Sequence, residues 1–99
     1  MFEGMYAVSV AGHDRGKTYI IIKEENDVFF LSDGRLRPVG KPKRKKRKHV
    51  RLIKKIGFNR ELIEKLSNRQ DESILPSNEE IKRAVRLYLM EDNECQKPM

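Results

Sequence analysis

The 99-residue chain lacks several features that define common protein classes. Its only cysteine, Cys95, can form neither an internal disulfide nor a thiolate cluster, so a reducing, cytoplasmic compartment is expected. No apolar run approaches the ~20 residues that a membrane helix needs, and we expect no membrane partner. Residues 1–10 contain neither the basic nor the apolar region of a secretory signal. These deficits favour a small intracellular domain.

Acidic residues are absent from one stretch of the chain. Residues 41–55 hold ten lysines or arginines and no aspartate or glutamate, so the net charge of +7 comes from a single block. A block of this kind repels itself and attracts a polyanion, usually nucleic acid or an anionic membrane. Charged residues make up 37% of the chain, above the usual ~25%, which predicts that part of it is not packed.

The sequence also lacks the residue groups of an active site. No serine, cysteine or threonine has an evident histidine and aspartate partner, and no pair of carboxylates stands out. His13 and His49 are the only histidines, and no cysteine or carboxylate cluster near them has metal-ligand spacing. We therefore expect no enzyme activity, no cofactor and no metal.

One motif requires a closer comparison with enzymes. The segment Ala11–Thr18, AGHDRGKT, satisfies a loose phosphate-loop pattern, but a true phosphate loop leads into a helix. The residues that follow, YIIIKEEND, are rich in β-branched side chains and have no helical periodicity. We interpret the segment as a β-turn with positive φ at Gly12, Gly16 or both, from whose rim Arg15 and Lys17 project.

Short strands separated by polar turns occupy the first half of the sequence. MYAVSV alternates between two faces, and TYIIIK and VFFLS are rich in β-branched and aromatic residues. Asp33-Gly34 is a tight-turn signal before a fourth strand, RLRPV, which Pro38 either places at an edge or ends. The segment GKPKRKKRK is predicted to be exposed and mobile, and residues 49–53 to form a closing strand, with a helical register as the alternative. Strands spaced this way are typical of a small barrel.

The last third of the sequence is patterned as helices. Asn59 can cap a helix over RELIEKLSNRQ, and Ser77 with Glu80 makes a capping box for a second helix at 78–92. The second helix has an apolar stripe that can dock on the barrel or the first helix, or bind a partner: Ile81, Val85, Tyr88 and Leu89. The final residues, DNECQKPM, are predicted to form a frayed end.

The order of elements in residues 3–53 resembles the KOW motif, which occurs in ribosomal proteins and in a transcription elongation factor. The likeness is strongest to the family of the fourteenth large-subunit ribosomal protein of archaea and eukaryotes and to its small bacterial relatives. The shared features are an AG-x-x-x-G turn, a β-branched strand, an acidic-Asn turn, another strand and a basic run that ends in a His-apolar pair. Here they are Ala11, Gly12, Gly16, Ile20–Ile22, Asp27, Val28–Leu31 and Lys48-His49-Val50. The resemblance implies an SH3-like barrel that binds RNA, often ribosomal RNA.

The expected architecture is therefore mainly β, with a small SH3-like barrel followed by one or two α-helices. Residues 1–55 would form the barrel, including a basic arm at 41–49, and residues 56–99 a helical C-terminal extension. The resemblance does not cover this extension, so it implies no role for it.

The expected function is RNA binding through the 12–17 turn and the basic arm. The candidate RNA-binding residues are Gly12, His13, Arg15, Gly16, Lys17, Arg35, Arg37, Lys41, Lys43, Arg44, Lys45, Lys46, Arg47, Lys48, His49 and Arg51. The basic arm would neutralise phosphates, since its sequence neighbourhood offers no carboxylate partner. Two alternatives stay open: a protein partner bound by the helix at 77–92, and non-specific binding of nucleic acid or an anionic membrane by residues 41–55.

Overall fold

A five-stranded antiparallel sheet and two helices form the domain, which is mainly β as the sequence predicts. The computed structural model describes residues 2–67 and 75–96, with side chains as far as residue 91. The elements are β1 (Tyr6–Ser9), β2 (Thr18–Glu25), β3 (Val28–Ser32), β4 (Lys43–Lys46), β5 (Val50–Ile53), α1 (Arg60–Ser67) and α2 (Asn78–Gln96). In space the strands lie in the order β4-β3-β2-β1-β5.

Both faces of the sheet are covered, because apolar side chains point to both sides of the central strands. Tyr6 and Ile20 lie on the face that packs against the helices. Ala7 and Ile21, their neighbours in sequence, lie on the opposite face with Phe29. This is the alternation that a strand imposes on successive side chains, and it confirms the two-faced pattern predicted for MYAVSV.

The sheet curls, and two local features cause it to do so. The register of β2 against β3 shifts between Ile21 and Lys23, where an extra residue increases the local twist. A 3₁₀ turn of three residues, Arg47–His49, connects the two edge strands β4 and β5, so the edges lie near each other. No pairing between these edges closes the sheet in the part of the chain that the structure describes. The closing strand predicted at 49–53 is confirmed as β5.

The fourth strand predicted for RLRPV is wrong, because side chains take up the backbone groups that a strand would use. The Asp33 carboxylate accepts hydrogen bonds from the backbone N–H groups of Arg35 (2.9 Å) and Arg37 (3.0 Å). The Ser32 hydroxyl donates to the carbonyl of Arg37 at 2.7 Å. Residues 33–37 therefore form a loop capped by its own side chains, a conformation that competes with strand pairing.

The basic segment predicted to be mobile contains strand β4 instead. Phe30 of β3 is paired with Arg44, and Leu31 with Lys43, so the fourth strand of the chain is β4 and not RLRPV. Backbone pairing needs no apolar side chain, and charged residues are common on edge strands. The lack of apolar residues in this segment therefore says little about whether it is ordered.

The helices cover one face of the sheet. Leu62 of α1 and Ile81 of α2 are buried in the same cluster as Tyr6 of β1. The Tyr6 hydroxyl donates to the carbonyl of Ala84 at 2.9 Å, and its ring stacks on that of Tyr88 with 4.5 Å between the centroids. Three residues of the apolar stripe of α2, Ile81, Val85 and Tyr88, are thus docked on the sheet, which was one of the two predicted alternatives, whereas Leu89 is exposed.

The two helix starts differ in how far they follow the prediction. The capping box is present: the Glu80 N–H donates to the Ser77 hydroxyl at 3.1 Å, and the Ser77 N–H donates to the Glu80 carboxylate at 3.4 Å. Asn59 precedes α1 as predicted, but its fully buried side chain accepts from the N–H of Gly57 and donates to the carbonyl of Gly4. It fastens α1 to the chain that leads into β1.

The last helix is longer than its sequence pattern indicated. Its backbone continues through Gln96, past residue 92 where a frayed end was predicted, because no glycine or proline interrupts it there. The predictions for residues 68–74 and 97–99 fall outside the described residues. Among the described residues, no helix is both long enough and apolar enough to cross a membrane.

A close approach between α2 and the 33–37 loop depends on Gly34. Its φ is +75°, and a Cβ at this position would overlap the carbonyl oxygen of Asn78 at the start of α2. The Asn78 side chain accepts a hydrogen bond from the N–H of Val39 at 2.7 Å, which fixes α2 on the chain that leaves the loop. Gly16 also has a positive φ, +88°, but has open space around it.

We expect Gly34→Ala to lower the free energy of unfolding by about 2–4 kcal/mol. Alanine would have to adopt an unfavourable positive φ, and its Cβ would overlap the carbonyl oxygen of Asn78. Gly16→Ala meets the unfavourable φ alone and should cost about 1–2 kcal/mol. Gly40→Ala, in open space and without positive φ, is the control and should change stability by less than about 0.5 kcal/mol. Urea denaturation measures all three. Equal losses for Gly34→Ala and Gly16→Ala would contradict the close packing of α2 on the loop.

Candidate functional site

The segment Ala11–Thr18 covers most of the connection between the antiparallel strands β1 and β2 and ends at the first residue of β2. A strand follows it and not a helix, so the β-turn interpretation is confirmed over the phosphate loop. The φ angles of Gly12 (+86°) and Gly16 (+88°) both lie in the region that favours glycine. The Gly16 N–H donates to the carbonyl of Ser9 at 2.7 Å, which closes the base of the turn.

Asp14 is the centre of the side-chain contacts of this turn. Its Oδ1 accepts hydrogen bonds from the Ser9 hydroxyl (2.9 Å) and from the Lys45 ammonium (2.6 Å). Its Oδ2 accepts from the Tyr19 hydroxyl at 2.8 Å and lies 3.3 Å from Nζ of Lys43. One carboxylate therefore joins the turn to β2 and to β4, and the bond to Lys45 spans 31 positions of sequence.

The cluster around Asp14 is nearly closed to solvent. The side chains of Asp14 and Lys45 are only 10% and 9% exposed. Burial alone would raise the pKa of the Asp14 carboxyl, but the hydrogen bonds from Lys45, Tyr19, Ser9 and Lys43 outweigh burial and hold this pKa well below its ordinary value. Burial and the bond to Asp14 raise the pKa of the Tyr19 phenol above its ordinary value. At neutral pH Asp14 is therefore ionised and Tyr19 remains a donor.

Asp33 is a second buried carboxylate, and it holds the 33–37 loop against the turn. Its Oδ2 lies 2.8 Å from Nζ of Lys17, while its Oδ1 accepts the two backbone bonds of the 33–37 loop. Burial opposes ionisation of this group, but the hydrogen bonds from Lys17 and from the loop lower the pKa of Asp33. The loop and the turn are thus joined by one ion pair.

Three predicted binding segments meet at one end of the sheet as a result. Asp14 holds the basic strand to the 12–17 turn, and Asp33 holds the 33–37 loop to it. The Val10 N–H donates to the carbonyl of His49 at 2.9 Å, which places residues 49–51 beside the start of the turn. These segments are distant in sequence, so their proximity is a property of the fold.

The predicted site residues divide into paired and solvent-facing groups. Lys17, Lys43 and Lys45 are paired with carboxylates, so the expectation that the basic segment lacks a nearby carboxylate is wrong. His49 is half-buried. The remaining candidates are exposed: Gly12, His13, Arg15, Gly16, Arg35, Arg37, Lys41, Arg44, Lys46, Arg47, Lys48 and Arg51. Side chains alternate along β4, which explains why Arg44 and Lys46 face solvent while Lys43 and Lys45 face Asp14.

Aromatic rings beneath the exposed cations were not identified from the sequence. Nζ of Lys23 and the guanidinium carbon of Arg44 each lie 5.7 Å from the ring centroid of the half-buried Phe30. The guanidinium carbon of Arg47 lies 4.9 Å from the ring centroid of Phe2. Such contacts orient the cation and leave the outer side of the guanidinium free to meet a ligand. The contacts of Lys23 and Arg44 with Phe30 could have been predicted only from the strand register, which places Phe30 opposite both cations.

The site has no cluster of metal-binding side chains in the described part of the chain. No group of three or more histidine, cysteine, aspartate or glutamate side chains there could hold a metal ion. Asp14 and Asp33 are engaged by lysines and act as anchors. What the geometry can do is present cations and a glycine-rich turn to an anionic partner.

We expect Asp14→Asn to lower the free energy of unfolding at pH 7 by about 2–3 kcal/mol, because Lys45 would keep a nearly buried charge without a carboxylate. The folded pKa of Asp14 lies below the unfolded value, so its contribution is complete above about pH 4 and is lost as the pH falls further. Urea denaturation between pH 7 and pH 2 should show this acid loss in the natural protein and a smaller one in the variant.

The matched control for this measurement is Asp27→Asn. Asp27 is exposed in the turn between β2 and β3, outside the Asp14 cluster, so this change leaves the ion pairs of Asp14 in place and should alter the free energy of unfolding at pH 7 by less than about 0.5 kcal/mol. If Asp14→Asn follows the same pH curve as the natural protein, the buried ion cluster does not stabilise the fold as described.

Comparisons with known proteins assign no family to this chain. No protein-family model matches it, and no curated protein matches it. The function proposed next therefore rests on the geometry and charge of its own residues, together with the resemblance of residues 3–53 to the KOW motif.

Proposed function

We propose that the protein is an RNA-binding module whose target is ribosomal or ribosome-associated RNA. The observation that carries the proposal is the convergence of the 12–17 turn, the 33–37 loop and the basic segment at one end of the sheet. Two carboxylates pair with three lysines there and leave one positive charge over, whereas the other cations face solvent. Such a surface attracts a polyanion, and the KOW resemblance favours RNA among polyanions.

The same proposal includes an SH3-like barrel as the fold of residues 1–55. Five antiparallel strands, a bulged β2 and edge strands joined by a three-residue turn support it. The side chains of Tyr19, Ile21, Phe29 and Leu31 gather on the face opposite the helices, where a barrel has its interior. The helices then form an extension that covers the outer face.

Binding would begin with phosphate contacts from Arg44, Lys46 and Lys48, three of the four exposed cations of β4 and the turn that follows it. Because β4 is already paired with β3, little chain has to become ordered when RNA binds, in contrast to the mobile arm expected from the sequence. Phosphate contacts set position without reading bases. The glycine-rich turn, held rigidly by Asp14, would recognise the shape of a folded RNA.

We expect the triple change Arg44→Gln, Lys46→Gln and Lys48→Gln to flatten the salt dependence of RNA affinity. Loss of three phosphate contacts should reduce the slope of log affinity against log salt by about 2–3, since each contact contributes roughly 0.7–0.9. A binding titration against one folded RNA and one unstructured RNA at several salt concentrations measures this slope. The triple variant should weaken binding to both RNAs alike.

The matched control keeps the charges and changes the side chains: Arg44→Lys, Lys46→Arg and Lys48→Arg. This variant should keep the slope of the natural protein. The melting temperatures of both variants should stay close to that of the natural protein, since the three side chains are exposed. A full slope in the glutamine variant would show that RNA phosphates are bound elsewhere, and absence of any RNA binding by the natural protein would end the proposal.

A further inference from the structure

A groove runs between the 12–17 turn and helix α2, and none of its lining residues belongs to the basic strand β4. Gly16 and Lys17 of the turn and Arg35 of the loop form one wall. The opposite wall is the exposed side of α2, including Arg83 and Arg86. The turn therefore borders two cationic regions, of which the sequence analysis and the proposed function use only one.

Positive charges outnumber negative charges along the walls of this groove. Its two carboxylates are each paired with a lysine: Asp33 with Lys17 at 2.8 Å, and Glu79 with Lys82 at 3.3 Å. Three further cations line it, Arg35, Arg83 and Arg86, and none of them is paired with a carboxylate among residues 2–67 and 75–91. After the pairs cancel, the groove has three arginine charges left over.

The residues of the α2 wall share one side of the helix. Arg83, Arg86 and Met90 are spaced three and four positions apart, so they follow one another along a single face. Leu89 and Met90 at the end of this wall are 45% and 50% exposed. The wall thus presents guanidinium groups first and exposed apolar side chains beyond them.

This pattern matches the chemistry of a single RNA strand. Arginine binds phosphate oxygens through two parallel hydrogen bonds, and its planar group can stack on an unpaired base. Exposed apolar side chains can contact the face of a base that has left its stack. Because Gly16 and Lys17 belong both to the turn and to this groove, a strand that crosses the turn from β4 enters the groove directly.

We propose that the groove between the turn and α2 binds a single-stranded RNA segment, with Arg83 and Arg86 contacting its phosphates. The inference rests on the proposed function and extends it: the RNA path would run from β4 over the turn and onto α2. The helical extension would then enlarge the binding surface besides covering the sheet.

The test uses the full chain and two unstructured RNAs. A short oligonucleotide of about 4 nucleotides can occupy one cationic region, and one of about 16 nucleotides can cover both. We expect Arg83→Gln with Arg86→Gln to weaken the longer RNA about 5- to 20-fold and the short RNA less than about twofold. Arg83→Lys with Arg86→Lys should restore part of the loss. Lys54→Gln removes an exposed cation outside the groove and is the control for the single change Arg86→Gln. It should weaken binding of the longer RNA less than Arg86→Gln does.

Each outcome distinguishes this inference from the proposed function. If the natural protein binds the longer RNA and the glutamine double variant binds it equally well, the groove lies off the RNA path while the proposed function stands. If the natural protein binds a folded RNA but neither of these oligonucleotides, the inference fails while the proposed function stands; if it binds no RNA at all, both fail. The alternative occupant of the groove is an acidic amphipathic peptide. If Arg86→Gln abolishes binding of that peptide and RNA does not compete with the peptide, the inference is overturned in favour of a protein partner. Unchanged helical circular dichroism in the double variant shows that α2 is intact.

Discussion

The carboxylate of Asp14 is the interaction on which the arrangement of the binding surface depends. Strand β4 carries only lysine and arginine, so no apolar side chain attaches it to the core. Its attachment depends on backbone pairing with β3 and on the ion cluster that Lys43 and Lys45 form with Asp14. Without that carboxylate, two neighbouring ammonium groups would repel each other beside the turn. One side chain therefore both orders the edge of the sheet and locates the turn.

The rest of the molecule supplies a rigid base for this surface. Tyr6 is buried in the helix-facing cluster, donates to α2 and stacks on Tyr88, so sheet and helix form one packed unit. Asp33 then connects the turn to the 33–37 loop, whose far side meets the start of α2 at Gly34. The anchored segments are loops and an edge strand, which are the parts of a small domain that usually bind partners. Their positions are set by buried carboxylates more than by apolar packing.

The features of the fold and the site that could be predicted are those set by residues close together in the sequence. Features that depend on residues far apart in the sequence could not be predicted. The alternation in β1 and the capping box of Ser77 and Glu80 are local, and the predictions for both are confirmed. The β4 prediction failed because strand pairing is a backbone interaction that a cationic segment can make as well as an apolar one. The ion pairs of Asp14 could not be predicted for another reason. Residue spacing does not show that a turn contacts lysines about 30 positions away. The aromatic ring beneath Arg44 likewise follows from register alone.

The edge position of β4 has a consequence for how copies of the protein meet. One side of an edge strand presents backbone N–H and carbonyl groups that can accept a strand from another molecule. On β4 two of the four successive cations, Arg44 and Lys46, face solvent, so the edges of two approaching copies repel each other. The repulsion is electrostatic and weakens as salt or a bound polyanion neutralises the charges. Strand addition and aggregation at this edge are therefore disfavoured most strongly in the free protein at low ionic strength.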